Sequence, residues 1–292
     1  MKLLSISGGA TKISGLAGAA DSLIHKLDYK PDLIVGTSAG SILALPLAMN
    51  YWESIRKETT EFTMDDIFSK PPMDENGKIT LSGKLRLLFG KLSLGVQDEL
   101  VNTISRIITE DDFRLYLSSD IFPAVYVGCV DYRTGKRHYV NMKKCNYREY
   151  LQFVLASTSI PYAAEPVNIG GKVLFDGGAR DHIGSHWMME NIKGITENVS
   201  IFSRPENFES ILDKNWNPDN IFDIFERDQA IRVLETSKKD EKLEKLIASD
   251  LNIKHTAIFL PSIMQSLYDT NPDRIKKLYG EGEKAAIKYY SK

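Results

Sequence analysis

Leu33-Ile34-Val35-Gly36-Thr37-Ser38-Ala39-Gly40-Ser41-Ile42-Leu43 is the stretch on which the reading of this chain turns. Its first three residues form a compact apolar run suited to a strand buried on both faces. From Ala39 to Tyr51 the sequence reads as a helix, in which Pro46 removes one backbone donor and predicts a kink. Between the two lies Gly36-Thr37-Ser38-Ala39-Gly40, a Gly-x-Ser-x-Gly pentapeptide. In that setting the serine sits on a sharp strand-to-helix turn with its hydroxyl exposed. Gly36 and Gly40 permit an approach of strand to helix that side chains would block. The helix N-terminus contributes a positive dipole end and the unpaired N–H of Ala39, both suited to stabilising an oxyanion. A purely structural Gly/Ser turn is the plain alternative.

Working outward, Leu3-Leu4-Ser5-Ile6 reads as a strand stopped by Gly8-Gly9, and Ile13 to Leu27 has apolar residues at helical spacing. A βαβα start argues for an α/β fold with a parallel sheet between helices. Downstream, strands are expected at Phe122 to Val130 and His138 to Met142, and a helix at Tyr147 to Ser157. A hairpin follows around Gly170-Gly171, its second strand Val173-Leu174-Phe175 ending at Asp176. Further expectations are a helix at Ser185 to Ile192, a strand at Val199 to Phe202, helices through 206–249, a strand at Thr256 to Leu260 and a terminal helix at Pro272 to Tyr289. Residues 204–292 thus read as mainly helical. Residues 62–97 are irregular, rich in Pro and Gly, and then mix Lys84, Arg86 and Lys91 with Leu85, Leu87, Leu88, Phe89 and Leu92. That segment suits either a lid or membrane-facing element meeting anionic headgroups, or an excursion packed on the body.

Composition narrows the function classes. At 42% hydrophobic and 26% charged the chain matches soluble globular proteins, so a full core is expected. A net charge of -2 argues against nucleic acid as a partner, which would need strongly clustered positive charge to displace counterions from phosphates. Cys129 and Cys145 form no CxxC, so neither a disulfide framework nor a thiolate zinc site is indicated, and a reducing cytoplasm fits best. Cys129, in an apolar run, reads as a buried small hydrophobe. Polar residues from Ser5 to Lys12 interrupt any signal-peptide core. The longest apolar stretch, Ile42 to Met49, falls far short of the ~20 residues a membrane span needs, so membrane contact must be peripheral.

A nucleophilic serine needs a base. An α/β-hydrolase would place an Asp or Glu and then a His downstream, and His255 stands where it could serve. That fold, however, puts several strands before its nucleophile, and here one βα unit precedes the elbow. Asp176-Gly177-Gly178 offers another base at a strand end. An ordinary Asp, with a pKa of ~3.9, is weak in that role, but burial would raise its proton affinity. Taken alone, Asp-Gly-Gly is an ordinary turn. A third element, Ser7-Gly8-Gly9-Ala10-Thr11-Lys12, follows the first strand and lies beside the elbow if the two strands are neighbours, at the sheet edge where ligands bind. Neither Gly-Lys-Ser/Thr nor Gly-x-Gly-x-x-Gly is present, which excludes the common nucleotide loops.

In this order the three elements resemble the patatin-like phospholipases. That family has a glycine-rich loop with a basic residue, a Gly-x-Ser-x-Gly elbow and an Asp-Gly-Gly/Ala. Ala156-Ser157-Thr158-Ser159-Ile160-Pro161 is similar to the Ala-Ser-x-x-x-Pro that precedes the family aspartate, so the likeness spans residues 2 to 184. The resemblance implies a three-layer fold with a mostly parallel central sheet flanked by helices, and a single domain over 1–292. It implies hydrolysis of acyl esters of phospholipids or lysophospholipids without a cofactor, at a transiently bound membrane surface. Ser38 would attack the carbonyl and Asp176 accept its proton directly. Amides of Gly8, Gly9 and Ala10, with Ala39, would hold the oxyanion, and Lys12 would meet a phosphate or steady the loop. The sequence departs from the family pattern at Ala10 and Ile13, where glycine is usual, with Gly15 as a substitute in the loop. It departs again at His182 and Gly184, where Asn and Pro are usual. His182 and His186 are spaced i, i+4, but Gly184 between them and the lack of a third ligand beyond Asp181 argue against a metal. Two other readings stay open: a catalytically silent lipid- or protein-binding module, and an esterase or acyltransferase acting on soluble acyl substrates.

Overall fold

Successive residues of a strand point to opposite faces, and the first two strands feed two cores. In β1 (Lys2–Ile6) and β2 (Leu33–Thr37), Leu4, Ile6 and Ile34 enter the larger core, whereas Leu3, Leu33 and Val35 enter a smaller one behind the sheet. The computed structural model describes residues 1–74, 78–207, 217–218, 221–264 and 268–290. The larger core is closed by α1 (Ile13–Asp21), α2 (Ala39–Ala48), α5 (Glu99–Ile107), α7 (Tyr147–Thr158) and α10 (Pro272–Tyr290), through residues such as Leu16, Leu43, Ile104, Val154 and Leu278. The smaller core lies under α8 (Ser185–Asn191) and α9 (Ile221–Asp250), with Met188, Met189 and Ala248. The result is three layers, helices on both faces of one sheet.

The remaining strands are β3 (Ala124–Asp131), β4 (Lys136–Asn141), β5 (Val167–Ile169), β6 (Lys172–Asp176), β7 (Glu197–Phe202) and β8 (Lys254–Phe259). The order is β5-β6-β3-β2-β1-β7-β8, with β4 also on β3. From β3 to β8 all pairings are parallel, and β4, β5 and β6 add antiparallel ones, so the sheet is mostly parallel as expected.

One detail of register positions the site. β4 pairs with β3 over residues 126–131 and so occupies one whole edge of it. β2 and β6 must share the other edge, β2 pairing up to Gly128 and β6 starting at Cys129. The two strands run toward each other along that edge. Thr37 lies opposite Gly128 and Asp176 opposite Cys129, so their ends meet head to head.

Several local expectations change. The helix expected from Ala39 to Tyr51 is shorter: α2 ends at Ala48 with Pro46 inside it, and Asn50 follows in the left-handed region at φ 60°. A separate α3 (Trp52–Glu61) follows. The irregular segment contains α4 (Leu81–Leu88), and α6 (Glu110–Ser118) precedes β3 with a Thr109/Asp112 capping box. α1 continues into a π-helical turn over Ser22–Lys26. The expected helices through 206–249 correspond to α9 from 221, while residues 208–216 and 219–220 lie outside the described ones. Among the described residues no helix is long and apolar enough to cross a membrane. Cys129 and Cys145 are both unpaired and buried.

Candidate active site

Ser38 sits between β2 and α2 at φ 52° and ψ -122°, a conformation that costs a non-glycine residue about 1–3 kcal/mol. The flanking glycines make the turn sterically possible. A Cβ on Gly36 would lie 2.2 Å from the Gly40 carbonyl oxygen, and one on Gly40 would lie 2.3 Å from that of Ile6. The strained serine is also held from outside. Its N–H donates to Ser157 Oγ at 2.9 Å, and the Ser157 hydroxyl donates to the Gly128 carbonyl at 2.7 Å. The Ser159 carbonyl accepts from the Asp176 N–H at 3.0 Å. The Ala-Ser-x-x-x-Pro segment therefore grips both strand ends where they meet. Sequence reading noted this segment but gave its serines no task.

Asp176 is 5% exposed, as is Ser38. Burial pushes its carboxyl up from the usual range to about 6, and hydrogen bonds from the Ser38 hydroxyl and the Gly178 amide (2.7 Å) hold back a further rise. At neutral pH the group is charged, yet it is a stronger proton acceptor than an exposed aspartate. The structure thus brings together the serine and the carboxylate chosen from the sequence.

The glycine loop after β1 lies against them, since a Cβ on Gly8 would be 3.2 Å from Ser38 Cβ. The expected donor set needs one correction: the Gly8 N–H is committed to the His182 carbonyl at 2.9 Å and is not free for a substrate oxygen. The amides of Gly9, Ala10 and Ala39 have no backbone acceptor among the described residues. Ala10 adopts φ 46°, a left-handed conformation at the position where the family has glycine. Gly15, the expected substitute in the loop, lies within α1. It packs α1 onto α10, where a Cβ on Gly282 would lie 2.1 Å from its carbonyl oxygen.

His182 closes the back of this loop. Burial together with Lys12 and Arg204 depresses its ring pKa to about 3, so it is neutral, and Nε2 lies 3.3 Å from Ser203 Oγ. Its own N–H donates to Asp240 Oδ2 at 2.6 Å. Asp240, on α9, thus reaches the Gly8 loop through the 181–184 segment, and sequence reading missed it because nothing local marks it. Lys12 forms no salt bridge among the described residues, and burial lowers its amine to about 8.

His182 and His186 do not share a helical face, because α8 begins at Ser185. Asp181, His186 and Asp240 do place potential ligand atoms within 4.8 Å of one another. That cluster already holds a cation: Arg137 Nε lies 3.0 Å from Asp181 Oδ2, and its Nη1 lies 2.9 Å from His186 Nε2.

From Ser38 a cavity of about 90 Å³ runs between α2 and the base of the 62–97 segment. Ile13, Ile42, Phe62, Ile67, Leu100 and Ile107 are among its walls. Beside the elbow, strand-end carboxylate and glycine loop, a match to the family model Patatin-like phospholipase over residues 4–186 decides the assignment. The chain belongs to the patatin-like phospholipase family. No curated protein matches it. Among solved structures, this patatin-like chain is similar to VipD from Legionella pneumophila at 12% identity and a TM-score of 0.46, covering 98% of this chain and 66% of that one. It is also similar to a chain of the SpcU–ExoU complex from the type III secretion system of Pseudomonas aeruginosa. There the identity is 15% and the TM-score 0.33, covering 86% of this chain and 52% of that one. The patatin-like chain therefore spans about two thirds and about half of the lengths of these two.

Proposed function

We propose that this protein is a serine lipid acyl hydrolase that cleaves acyl esters of membrane phospholipids or lysophospholipids. The observation that carries the reading is the head-to-head meeting of β2 and β6, which sets the Ser38 hydroxyl against the raised carboxylate of Asp176. In the proposed reaction the acyl chain occupies the apolar cavity and its ester carbonyl lies over Ser38. Asp176 takes the hydroxyl proton as Oγ attacks, and the amides of Gly9, Ala10 and Ala39 receive the developing oxyanion. Asp176 then returns the proton to the leaving alcohol. Water activated by the same carboxylate releases the fatty acid, without histidine or metal in any step. Lys12 stands near this site, with a lowered pKa and no carboxylate partner among the described residues, and would meet the substrate phosphate.

We take residues 1–292 as one catalytic domain, because β8 extends the sheet and α10 packs on α1. The unpaired, buried cysteines suit a reducing compartment, with the enzyme visiting membranes transiently. Product analysis on mixed phospholipids and lysophospholipids tests the reading. Fatty acid should be released by the wild type and not by Ser38→Ala or Asp176→Asn. Release only from soluble esters would favour the soluble-substrate alternative, and no release from any ester would favour the silent binding module.

A further inference from the structure

From Lys78 to Leu92 the chain carries four cations, Lys78, Lys84, Arg86 and Lys91, and no acidic residue, although the protein as a whole is net negative. α4 within this stretch has two distinct faces. Gly83 and Arg86 face the body. A Cβ on Gly83 would lie 3.2 Å from the Pro72 carbonyl oxygen, and Arg86 donates to the Ser93 carbonyl at 3.0 Å and to Glu165 at 2.6 Å. Arg86 is thus a strut of the excursion rather than a free cation, contrary to its expected role at an interface. On the other face stand Leu81, Leu85 and Leu88, followed one residue past the helix by Phe89, at i, i+4, i+7 and i+8. They are 74%, 44%, 81% and 77% exposed, and Leu92, beyond the left-handed Gly90 turn, is 74% exposed. Single exposed leucines are unremarkable, but a contiguous apolar tip marks an interaction surface. Lys84 and Lys91 border it, both exposed and without a salt bridge among the described residues.

We propose that this tip docks the protein on an anionic lipid bilayer, an inference that rests on the lipid-hydrolase reading above. Leu81, Leu85, Leu88, Phe89 and Leu92 enter the boundary between headgroups and acyl chains, and Lys84 and Lys91 stay level with the phosphates. Charge selects this occupant over a second copy of the chain, since two such tips facing each other would bring like charges together. The position of the tip also serves the site. Phe62, Met64, Phe68 and Gln97, at the base of the same excursion, line the cavity that ends at Ser38. A docked tip therefore sets the base of the excursion, and with it the cavity wall, at the surface from which substrate must leave the membrane.

The test separates docking from catalysis by using full-length Ser38→Ala protein in vesicle co-sedimentation, with phosphatidylcholine alone and with phosphatidylserine added. The parent should partition onto the anionic vesicles. Leu88→Asp with Phe89→Asp should lower partitioning at least tenfold. Lys84→Glu and Lys91→Glu should each lower it about fivefold or more on anionic vesicles, one near-surface cation being worth roughly that factor, with little change on neutral ones. The same changes in the active protein should leave kcat/KM on a water-soluble short-chain ester unaltered, which also reports that they fold. Partitioning that is indifferent to the tip substitutions overturns the proposal. So does a concentration-dependent dimer that the Leu88/Phe89 pair abolishes while no variant binds vesicles. Absence of ester hydrolysis by the wild type would defeat the catalytic reading and leave the partitioning result standing on its own.

Discussion

Replacing Asp176 by Asn should make the protein more stable at neutral pH while abolishing the proposed acyl hydrolysis. Burial lifts the folded-state pKa of Asp176 from 3.8 to about 6. The folded state therefore binds more protons than the unfolded chain between those values, and stability falls as pH rises through that window. At 1.36 kcal/mol per pH unit the full penalty is about 3 kcal/mol, complete above pH ~6 and absent below pH ~4. Asn keeps an oxygen to accept the Gly178 N–H and carries no charge to bury. The Asn variant should accordingly gain about 1–3 kcal/mol at pH 7.5 and close to nothing at pH 4. Urea unfolding of both proteins at the two pH values measures this directly. The same titration predicts that kcat/KM of the wild type on a soluble ester rises about tenfold per pH unit below ~6 and then levels. Equal stabilities at pH 7.5, or a rate plateau that extends down to pH 4, would refute the argument that Asp176 is a desolvated base.

Three further outcomes follow from the same contacts. Ser157→Ala leaves the buried Ser38 N–H and Gly128 carbonyl without their partner, so unfolding should lose about 1–3 kcal/mol, with kcat falling more than KM changes. Asp240→Asn, which keeps an acceptor for the His182 amide and removes a carboxylate whose pKa burial raises to about 6, should hold or raise stability at pH 7.5. Asp240→Ala should lose about 1–3 kcal/mol and slow turnover, as seen by urea midpoints and steady-state rates. Ala10→Gly should leave stability unchanged or raise it by up to about 1 kcal/mol, because the native φ of 46° favours glycine, whereas a glycine at an ordinary position would destabilise by a similar amount.

Much of the α/β scaffold was legible because its strands are short apolar runs next to glycine turns, as at Leu33 to Gly36. The mostly parallel order followed from the βαβα start. What the sequence could not carry was the sharing of one β3 edge by β2 and β6, since register depends on pairing partners far apart in the chain. The amphipathic signal of α4 was visible as mixed leucines and lysines, but the glycines around it made the segment look irregular. At the site, Ser38 and Asp176 were readable from their motifs, whereas the loss of Gly8 as a donor was not. That amide is claimed by a carbonyl at His182, and the loop bearing it is held by Asp240, both remote in sequence. Local pattern names the candidate reacting groups, and long-range hydrogen bonds decide which neighbouring amides remain available beside them.

Fluorophosphonate labelling of folded protein, with mass-spectrometric assignment of the modified residue, reports the nucleophile itself. Labelling should fall on Ser38, be strongly slowed in Asp176→Asn, and be retained when His25, His138, His186 or His255 is replaced singly and when His182 is changed to Asn. An unlabelled Ser38, or a histidine substitution that abolishes labelling as fully as Ser38→Ala in a protein that still folds, would contradict the pairing of Ser38 with Asp176.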